Sequence, residues 1–189
     1  MKAKASSLTI VFGRFNPPTI GHERLIRKAI EIAGEGNLRI YPSRTQDTKK
    51  NPLDPNTKIE YMRKMLPDQR ENIIDDPDIK TIFDVLVAAD QEGVSEVNIV
   101  VGSDREEEFE EITKKYNDNL YSFGVIKVIS AGLRDPDLED ESGISASKMR
   151  QAVANDNFAY FRCGTPKVLN DEETRAIFDA VRNGLGLAG

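Results

Sequence analysis

Short apolar runs bounded by turn residues alternate along this chain with stretches whose apolar residues recur every three or four positions. Leu8-Thr9-Ile10-Val11-Phe12 reads as a buried strand, and Glu23 to Ala33 carries apolar residues at helical spacing. Gly34-Glu35-Gly36 ends that helix, and Asn37 to Tyr41 is a short second strand. A long polar connection follows, Pro42 to Pro55. The next helix, capped by Asn56 or Thr57, places Ile59, Met62, Met65 and Leu66 on one side and stops at Pro67. Asn72 to Asp75 reads as a short third strand, and Ile79 to Glu92 as a helix with Ile82, Val85, Leu86 and Ala89 inward. Glu96 to Val101 is a β-branched strand, Asp104 to Tyr116 a charged helix, and Val125 to Ile129 a fifth strand. A loop rich in Asp, Pro and Gly covers Ala131 to Gly143, and two or three helices run from Ser145 onward. Strand and helix patterns in alternation predict an α/β fold with a parallel sheet of about five strands.

Length and composition narrow this picture. The chain has 189 residues, which fits a single domain with a substantial core. The expected organisation is a core over 7–155 and a C-terminal helical extension over 156–189. The net charge is −6, so nothing global attracts nucleic acid or an anionic membrane. An anionic ligand must be met by a local cluster of cations. The single cysteine, Cys163, has no partner for an internal disulfide or a cysteine metal site. Met1 to Ser7 reads as a short basic lead-in. No apolar run reaches the roughly 20 residues of a membrane span, so a reducing cytoplasm is the expected compartment. Glu106-Glu107-Glu108, early in a helix, reads as a solvated face that offsets the helix dipole rather than as a metal site.

The chemistry concentrates in the turn between the first strand and first helix, Gly13-Arg14-Phe15-Asn16-Pro17-Pro18-Thr19-Ile20-Gly21-His22. Such a turn, with glycines and the only histidine at a helix start, is where an α/β protein holds a nucleotide phosphate. Gly13 permits close approach to the backbone, Pro17 and Pro18 stiffen the turn, and Gly21 gives room at the helix start. His22 is placed to donate to a phosphate oxygen. A second segment, Gly143-Ile144-Ser145-Ala146-Ser147-Lys148-Met149-Arg150, pairs a good N-cap, Ser145, with two cations. Free amides at a helix start together with Lys148 and Arg150 suit further phosphates. Val101-Gly102-Ser103-Asp104 closes the strongest strand: Gly102 permits close approach, and Asp104 either accepts from hydroxyls or caps the next helix. In the polar connection, Lys49 or Lys50 is a candidate mobile lid over the phosphates, with a solvated basic loop as the equal alternative. Lys58 and Arg63 lie on the following helix.

The first segment resembles the signature Gly-x-Phe-x-Pro-x-(His/Thr)-x-Gly-His of the nucleotidylyltransferase superfamily, through Gly13, Phe15, Pro17, Thr19, Gly21 and His22. The second resembles that superfamily's Ile-Ser-Ser-Thr-x-x-Arg motif, with Ser145, Ser147 in the threonine place, and Arg150. Thr19 stands where many members have histidine and phosphopantetheine adenylyltransferases look similar, whereas Gly-Arg-Phe resembles archaeal-type nicotinamide mononucleotide adenylyltransferases. The resemblance implies a Rossmann-like domain that transfers a nucleoside monophosphate from ATP, or else CTP, to a small phosphorylated acceptor, with Mg²⁺ supplied on the triphosphate. It implies catalytic roles for His22, Thr19, Lys49 and Arg150. It implies nucleotide contacts from Gly13, Arg14, Phe15, Asn16, Gly21, Gly102, Asp104, Ser145, Ser147 and Lys148. The C-terminal helices, beyond the last strand, are candidates to cap the sheet edge or to serve a subunit contact in a homo-oligomer. Class I aminoacyl-tRNA synthetases share a similar first motif but need far more chain. The competing reading is a binding or structural protein that keeps the fold without catalysis.

Overall fold

The computed structural model describes residues 6–132 and 144–187. Residues 1–5 of the predicted lead-in and most of the Ala131–Gly143 loop lie outside these residues, whereas Ser7, placed in the lead-in, is the first residue of a strand. The fold is a Rossmann-like α/β arrangement of a parallel sheet and helices, and its residues cluster into two compact units.

The first unit takes the described residues of 1–12, 25–41 and 76–134. It holds a four-stranded sheet of β1 (Ser7–Gly13), β2 (Asn37–Pro42), β3 (Glu96–Val101) and β4 (Val125–Ser130), in the order β2-β1-β3-β4. β1 pairs in parallel with β3 from Ser7↔Glu96 to Val11↔Val100, and β3 in parallel with β4 from Glu96↔Val125 to Val101↔Ser130. The strand order reverses between β1 and β3, so the chain leaves these two neighbouring strands at the carboxyl edge where open α/β sheets bind ligands. Leu8, Ile10, Val97, Ile99 and Val100 are all buried, the near-continuous apolar pattern of a strand covered on both faces. Helix α1 (Ile20–Ala33) turns Ile26 and Ala29 inward, and α3 (Ile82–Gln91) turns in Ile82, Val85, Leu86 and Ala89 as its spacing predicts. Thr81 and Asp84 form a reciprocal capping box at the start of α3.

Among the described residues the sheet has four strands rather than about five. Pro67–Asn72 winds into a 3-10 turn, and the predicted third strand at Asn72–Asp75 does not form. Only Ile73 in that stretch is fully buried, which is too little apolar surface to hold a strand.

The second unit takes the described residues of 13–24, 42–75 and 135–189. Its helices are α2 (Pro55–Met65), α5 (Ala146–Ala154), α6 (Phe158–Cys163) and α7 (Asp171–Gly184); the helix α4 (Glu106–Lys115) belongs to the first unit. Asp54 caps α2, not Asn56 or Thr57: its carboxylate accepts from the Thr57 amide, and Pro55 supplies a first helical residue that needs no donor partner. Leu53, Tyr61, Met149, Val153, Phe161, Ile177, Phe178 and Val181 form the unit's apolar core. Glycine is required where helices meet loops closely. A Cβ on Gly164 would sit 2.3 Å from the Met149 sulfur, and one on Gly184 would sit 2.0 Å from the Pro52 carbonyl oxygen. No helix among the described residues is long and apolar enough to cross a membrane.

Candidate functional site

The glycine-proline turn, the polar connection and the second motif all fall in the second unit, and they are stitched together by hydrogen bonds. The turn leaves β1 at Gly13. Phe15 has a left-handed φ of 49°, a strained state of order 1–3 kcal/mol for a bulky residue. That backbone folds the Phe15 ring back over Gly13, where a Cβ would come within 3.1 Å of it. The same ring meets His22 edge to face, with centroids 4.9 Å apart. The space that a side chain at Gly13 would need is therefore filled by Phe15, whose ring is buried.

Thr19 is also fully buried, and its role differs from that of a phosphate donor. Its amide donates to His22 Nδ1 at 3.0 Å, its hydroxyl lies 3.3 Å from the same nitrogen, and that hydroxyl accepts from the His22 amide at 3.4 Å. An acceptor role at Nδ1 puts the proton of the neutral ring on Nε2. Thr19 thus fixes both the ring orientation and the tautomer, and His22 presents a half-buried imidazole donor at the start of α1. The Ile20 amide is used by Gly164 O at 3.0 Å, while the Gly21 amide has no hydrogen-bond partner among the described residues.

Asn16 is a staple. Its amide nitrogen donates to Leu53 O at 3.2 Å, and its Oδ1 accepts from the Leu53 amide at 2.8 Å. With both ends of its side chain committed and buried, Asn16 offers a ligand nothing but its backbone. That backbone carries the link between motifs: Arg150 Nη1 donates to Asn16 O at 2.9 Å. Ser145 caps α5 as its position predicts, accepting from the Lys148 amide at 3.2 Å. The amides of Ala146 and Ser147 have no partner among the described residues, and Ser147 is exposed. These are the donors that a helix start offers to an anion.

The cations are arranged so that they repel one another. The Arg150 guanidinium is held below its usual range by burial and then by the charge of Arg14, with Asp47 opposing. Lys58 is fully buried, and its ammonium donates to Arg14 O at 2.7 Å and Ser43 O at 2.6 Å. Burial, and then the Arg44 charge, push Lys58 down to about 8. Ser43 in turn donates its amide to Gly13 O at 2.8 Å, and its buried hydroxyl has no partner among the described residues. Lys58 and Asn16 are the residues that most firmly join the turn to the polar connection.

The polar connection is not an unstructured lid. The Asp47 carboxylate accepts from the amides of Lys49, Lys50 and Asn51 and from the Asn51 side chain at 2.7 Å. These bonds, the Asn51 side chain's first, hold Asp47 well below the usual carboxylate range. Lys49 and Lys50 lend their amides to this turn, while their side chains are exposed and make no ion pair among the described residues. Arg44 pairs with Asp75 at 2.7 Å. Tyr61 lies in the apolar core.

In the first unit, Gly102 follows β3. A Cβ there would meet the Asp104 carboxylate at 2.7 Å, so Asp104 folds back over Gly102. Asp104 caps nothing: a 3-10 turn, Ser103–Arg105, separates it from α4, whose N-cap residue is Arg105. Its carboxylate is exposed.

A family model described as cytidylyltransferase-like matches residues 10–152. No curated protein matches the chain in sequence. Among solved structures, the fold is similar to that of a Plasmodium falciparum nicotinic acid mononucleotide adenylyltransferase complexed with NaAD. The identity is 15%, the TM-score 0.57, and 94% of this chain and 95% of that one are covered. It is also similar to a Vibrio parahaemolyticus candidate nicotinate-nucleotide adenylyltransferase, at 15% identity and TM-score 0.55, covering 91% of this chain and 98% of that one. Thermotoga maritima TmcAL bound with alpha-thio ATP matches at 12% identity and TM-score 0.52, over 96% of this chain and 56% of that one. At these identities the likeness is one of fold.

Proposed function

The chain belongs to the cytidylyltransferase-like family, and from that membership we propose that it transfers a nucleoside monophosphate to a small phosphorylated acceptor. AMP from ATP is favoured over CMP from CTP. An acceptor phosphate oxygen forms a bond to the α-phosphorus in line, the bond from that phosphorus to the bridging oxygen breaks, and pyrophosphate departs with the electron pair. Such a reaction needs positioned charge rather than a protein nucleophile. On this reading magnesium comes with the triphosphate as its counter-ion.

The observation that carries the proposal is the bond from Arg150 to the backbone of the first motif, beside a second guanidinium, Arg14, that opposes its charge. Mutually repelling cations next to open helix-start amides are poorly satisfied by the protein alone. A triphosphate would relieve them. On this reading Arg14 and Arg150 hold phosphoryl oxygens, the α5 amides and Lys148 hold the terminal phosphates, and His22 donates from Nε2 to the α-phosphate as charge builds there. The fold neighbours complexed with NaAD and alpha-thio ATP support a site for an adenine nucleotide.

The test is pyrophosphate release from ATP and CTP across a panel of mononucleotide and other phosphomonoester acceptors. The expected result is release with at least one pair, cut by about 10²–10³-fold in His22→Ala with its thermal stability kept. ATP and CTP that neither bind nor release pyrophosphate with any acceptor would leave a scaffold as the only reading.

A further inference from the structure

Beside α2 lies a cleft of about 250 Å³ that the phosphate site does not use, lined by Asn56, Glu60, Arg63, Lys64, Arg70 and Asp75 among others. Its charges do not cancel where they stand. Glu60 is engaged by Lys64 at 3.5 Å, and Asp75 by Arg44 at 2.7 Å. Both carboxylates of the cleft are thus already answered. Two guanidinium groups remain. Arg70 is exposed and makes no ion pair among the described residues. Arg63 spends one nitrogen on Ile73 O at 2.9 Å, and its buried Nε has no hydrogen-bond partner among the described residues.

We propose that this cleft is an anion site for a phosphomonoester head group, held by Arg63 and Arg70. The guanidinium fork matches the paired oxygens of a phosphate, which a lysine pair would meet only as point charges. The Asn56 side chain adds a neutral donor at the rim. The volume is below the roughly 300–1,000 Å³ of pockets that enclose a whole drug-sized ligand, so the cleft takes the anionic end of a molecule rather than all of it. The phosphate has two sources, a second phosphate of the acceptor, other than the one that attacks, or free phosphate acting as an effector. The site itself stands independently of the transfer reaction.

The probe is inorganic phosphate, titrated into the full chain while the arginine side-chain Nε–H signals are followed by NMR. Expected is a saturable shift of the Arg63 Nε–H signal, weakened at least tenfold in Arg70→Gln, with ATP affinity unchanged. Arg70 is exposed, so its replacement leaves the fold intact; Arg63→Lys, which keeps the charge but not the fork, is the second variant and should also weaken binding. If phosphomonoester acceptors compete with phosphate at this signal and Arg70→Gln raises the acceptor KM at constant kcat, the source is the acceptor. If phosphate binds there without touching turnover, it is a separate ligand; both outcomes uphold the site. An Arg63 signal that does not move with phosphate, or equal phosphate affinity in wild type and Arg70→Gln, overturns it, whether or not the chain is active.

Discussion

Burial of Lys58 makes a prediction that can be worked through. The ammonium sits wholly inside the protein with only two carbonyl oxygens as partners, Arg14 O and Ser43 O. Its acidity rises accordingly, from an ordinary 10.5 down to about 8. The unfolded chain therefore holds this proton between those two values while the folded chain releases it. Stability must rise with pH across that window and fall again as pH drops through about 8. Between about pH 8 and pH 10 the linkage integral amounts to about 2 kcal/mol for this single group. The neutral amine still has two N–H bonds, one for each carbonyl, so deprotonation does not undo the clamp. The upper limit of the window is set by Tyr61 and Tyr121, both raised by burial, Tyr121 to about 12. Above about pH 10 the unfolded tyrosines ionise first and draw stability down. Urea unfolding at half-unit steps from about pH 7.5 to pH 10, for wild type and Lys58→Met, isolates the lysine. Methionine fills the stem volume but does not titrate. At neutral pH its effect is a contest, because it removes a costly buried charge while stranding two carbonyls at about 1–3 kcal/mol each. The difference between the two curves should nevertheless open by about 2 kcal/mol as pH rises. Lys58→Arg, which stays charged throughout, serves if the methionine variant does not fold. Parallel curves for wild type and variants would refute the argument.

Four further outcomes follow from named contacts. Arg150→Ala should weaken triphosphate binding by about 10–100-fold in calorimetry, since it removes a charge-assisted donor; unchanged affinity would remove Arg150 from the site. Thr19→Val keeps the volume but loses the hydroxyl that steadies His22, so kcat should fall by about tenfold with little change in KM, and Thr19→Ser should recover most of it. Asn16→Ala strands both backbone groups of Leu53 and should lower stability by about 2–4 kcal/mol in urea unfolding; a loss under half a kilocalorie would deny the staple. Gly184→Ala places a methyl 2.0 Å from the Pro52 carbonyl, so a substitution that normally steadies a helix should here lower Tm, by the equivalent of about 1–3 kcal/mol.

What the chain discloses locally and what it hides separates by distance along the sequence. Ser145 as a cap, the inward face of α3 and the strands β1 and β3 depend on neighbours within a few residues, and their patterns announce them. The missing third strand is a short-range failure, since Asn72–Asp75 is too brief for period-two alternation to mean much. The joints of the site belong to another scale: Asn16 reaches 37 residues to Leu53, Lys58 reaches 44 to Arg14, and Arg150 reaches 134 to Asn16. No periodicity encodes which distant carbonyl a side chain will meet. Lys58 nevertheless left a trace. With Tyr61, Met62 and Met65 it occupies the i, i+3, i+4, i+7 positions of the buried stripe of α2, a lysine where the pattern demands an apolar residue. Lysine is almost never fully buried without a partner, so that register alone implies acceptors waiting inside the fold. The partners it finds are carbonyls of the glycine-proline turn and of the chain just after β2. A violation of the local rule thus marks the point where the backbone of the glycine-proline turn is held in place, which is where departures from local consistency are expected to concentrate.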